Sequence, residues 1–217
     1  TLSADNTYTG VTTINAGTLA LSSSAAIGGA LIIDSAGVLD LQFAGTVSLS
    51  STLTMSSGAA ITNSGSASNL SVAGVSILAG SISTKGSQTY GDTVTLATST
   101  SITSTGLGSG GNISFNSTVD GSSDNGQSLT ISSSGAMTFN AQIGGIHSLS
   151  SFTTGSGTTS LAGNVTTSGG QSYGGNVSLT GNISLITTNS QVDIAGSITG
   201  VTLTNILQFT GGGAYIL

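Results

Sequence analysis

Ser81 to Leu96, SISTKGSQTYGDTVTL, occurs again further along the chain as Asn164 to Leu179, NVTTSGGQSYGGNVSL. Seven of the sixteen positions are identical: Thr84/Thr167, Gly86/Gly169, Gln88/Gln171, Tyr90/Tyr173, Gly91/Gly174, Val94/Val177 and Leu96/Leu179. Ile82/Val165, Thr89/Ser172 and Thr95/Ser178 exchange within a kind, so the copied unit reads as an alternating strand, a glycine-centred turn and a second strand. The likeness extends more loosely to Asn112–Phe115 against Gln191–Ile194 and to Val119-Asp-Gly against Ile198-Thr-Gly. A long internal period built of short strands signals stacked units that share one continuous core. The expected organisation is one segment over 1–217, with a repeat over 81–163 and a partial second copy over 164–217.

Around both copies apolar and polar residues alternate, and helical periodicity is almost absent. In Leu39-Asp40-Leu41-Gln42-Phe43 the three apolar side chains must share one face, with Asp40 and Gln42 on the other. The same pattern recurs at Leu19/Leu21, Leu31/Ile33, Val47/Leu49, Val94/Leu96, Ile113/Phe115, Leu129/Ile131, Met137/Phe139, Val177/Leu179, Ile183/Leu185, Val192/Ile194 and Val201/Leu203. Between the strands lie turns such as Asn15-Ala-Gly17, Ser35-Ala-Gly37, Asn63-Ser-Gly65, Asp124-Asn-Gly126 and Gly211-Gly-Gly213. Glycine and asparagine accept the positive φ that sharp corners require.

Two all-β arrangements fit, a sandwich of antiparallel hairpins or a solenoid of parallel coils. With no Trp and only 4% aromatic residues, the large side chains of a sandwich core are scarce, and small inward residues suit a narrow solenoid. At about 20 residues per coil the chain makes roughly ten coils. Stacked at about 4.8 Å they form a rod of roughly 50 Å. The repeat period, from Tyr90 to Tyr173, is then about four coils, which predicts that these two corners lie one above the other. Thr1 falls inside a strand-like pattern and Ala214-Tyr-Ile-Leu217 opens another, so the chain reads as a piece of a longer rod, or as a unit that stacks end to end.

Composition removes several functions. Charged residues are 4%, where about a quarter is usual. Pro, Cys, Trp, Glu and Arg are all absent. Lys85 is the single cation against Asp5, Asp34, Asp40, Asp92, Asp120, Asp124 and Asp193, a net charge of −6 that phosphate backbones repel, so no nucleic acid is expected as a partner. No apolar run approaches the roughly 18 residues of a bilayer span. Aromatic girdles of an outer-membrane barrel are missing, so this segment is not expected to insert in a membrane. Zero cysteine removes disulfides and thiolate metal sites and is compatible with export of an unfolded chain.

Asn6-Thr-Tyr-Thr-Gly10 followed by Thr12-Thr-Ile-Asn-Ala-Gly-Thr-Leu19 resembles the repeat of autotransporter passenger domains, over about 16 residues. The two Gln-x-Tyr-Gly copies and the Ser/Thr-rich strands around them, over 81–210, resemble filamentous-haemagglutinin-like exoproteins of two-partner secretion. These resemblances imply an all-β, right-handed parallel β-helix, secretion across a bacterial outer membrane and an extracellular place on the cell surface. The handedness also follows the general bias of parallel crossovers.

Catalysis has thin material. Glycoside hydrolysis generally needs two carboxyl groups within about 5–10 Å, and the candidates are Asp120 with Asp124 and Asp34 with Asp40. Both pairs sit in or beside turns, where Asp is favoured for backbone hydrogen bonding alone. The Asp120–Asp124 loop lacks the spacing of known calcium loops. His147 is the single imidazole, so a multi-histidine metal site is unavailable, and it reads as a turn residue. Lys85 reads as a solvated corner charge. Tyr8, Tyr90 and Tyr173 read as corner packers rather than a sugar-stacking platform. Sequons at Asn69, Asn112, Asn116, Asn164, Asn176 and Asn182 are numerous because Ser and Thr are numerous.

The expected function is a non-catalytic surface adhesin or stalk segment with no cofactor, meeting a host or neighbouring cell through a glycan or protein ligand. The alternative is a solenoid subunit that stacks into an extracellular filament. An ice-binding solenoid ranks below these because the threonines keep no regular short spacing, and a polysaccharide-degrading enzyme ranks last.

Overall fold

The computed structural model describes residues 1–3, 8–23, 27–200, 202 and 205–217. Parallel strands stack as a β-solenoid of about nine turns, close to the roughly ten expected, and Gly108–Gly111 is the one helical element among the described residues. Asp5, Asn6 and the Val201/Leu203 pair lie outside the described residues.

Each coil has three faces. A column of Cα partners, Thr12, Leu31, Leu53, Ser76, Val94, Val119, Ile143, Val165, Leu185 and Phe209, climbs the first face. Its steps are unequal, the shortest running from Ser76 to Val94 and the longest from Val94 to Val119. The second face carries Gly80, Thr100, Leu129, Phe152, Gln171 and Val192 in one column. The third carries Val72, Tyr90, Phe115, Phe139, Leu161 and Leu179. Long strands such as Val94–Ser104 bend from the first face into the second, which joins these faces into one twelve-stranded sheet beside the eight-stranded third face. A three-stranded sheet continues the first face at the far end. Because proline is absent, every residue after the first brings a backbone donor to the ladder. The bend from first to second face is sharp at Gly17, Gly58 and Gly80, with φ of 76°, 90° and 79°.

Alternation places the side chains as expected. Leu39, Leu41 and Phe43 point inward, and the inner members of the other described pairs are buried, apart from half-buried Leu19. The expectation of small inward residues fails, however. Five of the nine aromatic residues are fully buried in mid-rod, and they form a continuous ladder. Tyr90, Phe115 and Phe139 stack on the third face at 4.9 and 5.0 Å, nearly coplanar. The ladder then crosses the core, Phe139 to Phe152 at 5.4 Å and Phe152 to Tyr173 at 5.7 Å, both edge-on. The rings are concentrated in one part of a core that is otherwise mostly Leu, Ile and Val.

The repeat has a local meaning. In the first copy the Thr84 hydroxyl donates to the Gly86 carbonyl (2.6 Å), and the Gln88 amide donates to Thr84 Oγ1 (3.0 Å) and the Thr103 carbonyl (2.8 Å). Tyr90 then donates its hydroxyl to Gln88 Oε1 (2.9 Å). In the second copy Thr167, Gly169, Gln171, Ile186 and Tyr173 make the same bonds at 2.7, 3.3, 3.0 and 2.9 Å. Thr-x-Gly-x-Gln-x-Tyr-Gly is therefore a corner whose inward polar groups satisfy one another, as burial demands. Burial also pushes both tyrosine hydroxyls well above their ordinary pKa, which keeps them protonated as donors.

The predicted vertical alignment of the two corners is wrong. Tyr90 lies on the third face and Tyr173 on the second. Four coils above Tyr90 the third-face column, through Phe115, Phe139 and Leu161, reaches Leu179. The repeat period thus falls short of a whole number of turns, and the motif is reused one corner away from its first position.

Among the described residues two buried hydroxyls, on Ser23 and Ser76, have no hydrogen-bond partner. Ser76 stands between Leu53 and Val94 in the first-face column, fully buried, with a hydroxyl that has no partner. Ser76→Ala removes that group and is expected to stabilise the protein by about 1 kcal/mol. A lowered urea midpoint for the variant would contradict this.

Candidate functional site

The carboxylates are the only abundant ionisable groups, so their environments decide what chemistry is available. Asp34 accepts the Ser56 hydroxyl at 3.4 Å. Asp40 faces outward as its alternation predicts but is 7% exposed, covered by neighbouring coils. It accepts the Ser64 hydroxyl (2.6 Å), the Gln42 amide (2.8 Å), the Ser64 N–H (2.9 Å) and the Thr62 hydroxyl (3.1 Å). Desolvation alone raises its pKa, but the four donors outweigh it and hold the carboxyl below the ordinary value. Asp34 and Asp40 are thus committed to separate sets of donors, and both lie within the strand Leu31–Leu41 rather than in a turn.

A depressed folded pKa stabilises fully above the unfolded value and is lost as pH falls through the folded one. Stability of the rod is therefore expected to decline below about pH 4, and Asp40→Asn is expected to flatten that acid limb. Identical acid limbs in urea titrations of the two proteins would contradict the assignment.

Asp120 and Asp124 are also used separately. Asp120, outward on the first face and 8% exposed, accepts the Ile146 N–H at 2.8 Å. Asp124 accepts the Ser148 N–H at 3.2 Å and lies 3.3 Å from His147 Nδ1, with both side chains largely exposed. The carboxylate orients the imidazole, but among the described residues no hydroxyl is hydrogen-bonded to the ring's other nitrogen, so the contact stops short of a nucleophile–base–acid relay. Among the described residues no group of three His, Cys, Asp or Glu side chains could hold a metal ion. The expectation of a turn histidine fits its place in the 144–148 loop.

Lys85 is an exposed corner residue, as expected, with a structural use in addition. Its ammonium donates to the Ser64 (3.2 Å) and Gly65 (2.5 Å) carbonyls of the coil below, so the solvated charge also straps a corner. Tyr90 and Tyr173 are core packers, whereas Tyr8 is 37% exposed with its hydroxyl accepting from Thr12.

The sequons acquire a geometric explanation that their abundance alone did not suggest. Asn69, Asn112, Asn164, Asn176 and Asn182 each accept, through Oδ1, the backbone N–H of Ser87, Ala136, Ser184, Ser197 and Ile206 respectively, one coil further on. Asn112, Asn164, Asn176 and Asn182 stand just before a strand and Asn69 at the second position of one, each followed by an inward Leu, Ile or Val and an outward Ser or Thr. A strand entry followed by an inside and an outside position spells Asn-x-Ser/Thr. Asn116 differs, accepting from the Asn140 amide.

Hydroxyls that look irregular along the chain fall into register across it. Ser48, Ser71, Thr89, Ser114, Thr138, Ser160, Ser178 and Thr199 form one outward row on the third face. The irregular spacing in the sequence reflects unequal coil lengths, and successive hydroxyls are about 4.8 Å apart on the rod.

Among the described residues no helix is long and apolar enough to cross a membrane. Residues 1–21 match the family model of the passenger-associated transport repeat. No curated protein and no solved structure matches the chain. The β-solenoid and the repeat together fit an autotransporter passenger repeat.

Proposed function

We propose that this chain is a non-catalytic rod segment of a bacterial autotransporter-like exoprotein, displayed on the outer cell surface and used for adhesion to host or neighbouring cells. The observation that carries the reading is the transport-repeat match over residues 1–21, which includes the first strand of the parallel ladder, Thr12–Leu21. Solenoid construction supports export. Each coil pairs with its immediate neighbours, so a chain that emerges unfolded can add one coil at a time. The absence of cysteine removes disulfides as an obstacle to that passage. The Asp40 carboxylate supports a structural role, since it is enclosed by four neighbouring donors.

The test is protease shaving of intact producing cells, followed by adhesion assays on cells lacking the segment. Release of the segment by external protease and weakened adhesion are expected. Full protection of the segment inside intact cells would overturn the reading.

A further inference from the structure

A cleft of 410 Å³ opens on the first face, lined by Thr93, Thr95, Thr118, Asp120, Gly121, Ile146 and their neighbours. That volume lies within the range of small-ligand sites, about 300–1,000 Å³. Its upper lip is the 144–148 loop, which leaves the first-face column at Gly144 with φ of 67°. A side chain at Gly144 would collide with the Thr166 carbonyl, so the turn is available to glycine alone. The lip is held by Ile146 N–H to Asp120 Oδ1 (2.8 Å), Gly121 N–H to the His147 carbonyl (3.1 Å) and Asn125 N–H to the Ser148 carbonyl (2.8 Å). Asn125 itself adopts a left-handed conformation, φ 61°, to make that contact.

The floor contains a group that the protein leaves half-satisfied. Asp120 is more than nine-tenths buried, yet among the described residues only Oδ1 has a protein partner; Oδ2 has none. The hydroxyls of Thr93, Thr95 and Thr118 likewise donate to and accept from no described protein group. Above them Ile146 holds an apolar side chain 77% exposed at the lip.

We propose that this cleft binds a neutral saccharide. The free carboxylate oxygen accepts from a sugar hydroxyl, the threonine hydroxyls exchange donors and acceptors with others, and Ile146 covers an apolar C–H face of the ring. Anionic sugars are disfavoured beside the Asp120 carboxylate, because the one lysine straps a distant corner. A bare divalent cation would need some six to eight oxygens, whereas one carboxylate faces the cleft. The three hydrogen bonds across the lip, two of them between backbone groups, mean little ordering remains to be done on binding. The proposal deepens the adhesive reading and rests on it for its biological use, but not for the binding itself.

The test is saturation-transfer NMR and calorimetry on the purified chain, with glucose, galactose, mannose, N-acetylglucosamine and their disaccharides, and with glucuronate and putrescine as charged probes. Asp120→Asn keeps an acceptor for the Ile146 N–H and turns the free oxygen into a donor. It is expected to weaken binding of a neutral sugar about ten- to hundredfold, Ile146→Ser less, and Asp193→Asn not at all. No binding by any neutral sugar, equal binding by Asp120→Asn, or preference for either charged probe would overturn the proposal. Cell-surface shaving and the adhesion assay read display and adhesion independently of sugar binding, so a displayed, adhesive rod that ignores sugars fails this proposal alone.

Discussion

Phe139→Ala is expected to destabilise the rod by about 3–5 kcal/mol, the usual cost of truncating a buried phenylalanine. Phe139 is 1% exposed and occupies the junction of the aromatic ladder. On one side it stacks on Phe115, on the other it meets the edge of Phe152 from the opposite sheet. Its Cα partners are Phe115 below and Leu161 above, both in ladder positions that backbone hydrogen bonds hold apart, so the coils cannot collapse into the gap. Aromatic pair energies are lost in addition to buried area. Phe209→Ala, at a partly buried position packed against the core, is expected to cost less. Tyrosine fluorescence in urea reports the change, since Tyr90 and Tyr173 lie at the two ends of the same ladder and the protein has no tryptophan. A Phe139→Ala loss below that of Phe209→Ala would show that the ladder does not act as a unit.

Gln88→Leu is expected to cost about 2–4 kcal/mol, because it strands buried polar partners at about 1–3 kcal/mol each. The substitution is apolar, similar in size and sited between Leu70 and Ile113, so a simple hydrophobic account would predict stabilisation. Instead the Tyr90 hydroxyl loses its acceptor and the Thr103 carbonyl its side-chain donor. The Thr84 hydroxyl retains the Gly86 carbonyl and is spared. Tyr90→Phe in the same chain removes one stranded group, so the double variant is expected to lose less than the sum of the single losses. Strict additivity in the double-mutant cycle would mean that the network is not coupled. Gln171→Leu with Tyr173→Phe repeats the experiment at the second copy, with the Ile186 carbonyl in the place of the Thr103 carbonyl.

Much of this was legible along the chain because β-structure repeats every two residues. Leu39, Leu41 and Phe43 could be turned inward from alternation alone, and Asn125 could be placed at a left-handed turn from its glycine neighbour. The inward orientation of Gln88 and Gln171 was not legible. Polar residues count as outward in an alternating pattern, and only the partners at Thr84, Tyr90 and Thr103 make the interior tolerable. The candidate cleft was equally hidden. Asp120 and Asp124 stood out as a pair in the loop, but the residue that completes Asp120 is Ile146, in the next coil.

Sequence by itself determined the all-β class with its glycine and asparagine corners, and the internal copy, because each is written within a few residues; it favoured the solenoid over the sandwich through composition and resemblance, and the parallel pairing between coils is seen only in the structure. Tertiary structure alone decided which face each element occupies. Coils of unequal length accumulate unevenly, so the two Tyr-Gly corners land on different faces while Ser48 to Thr199 fall into a single row. Vertical neighbours are set by hydrogen-bonded stacking at a fixed spacing, and that spacing is a property of the ladder rather than of any stretch of chain.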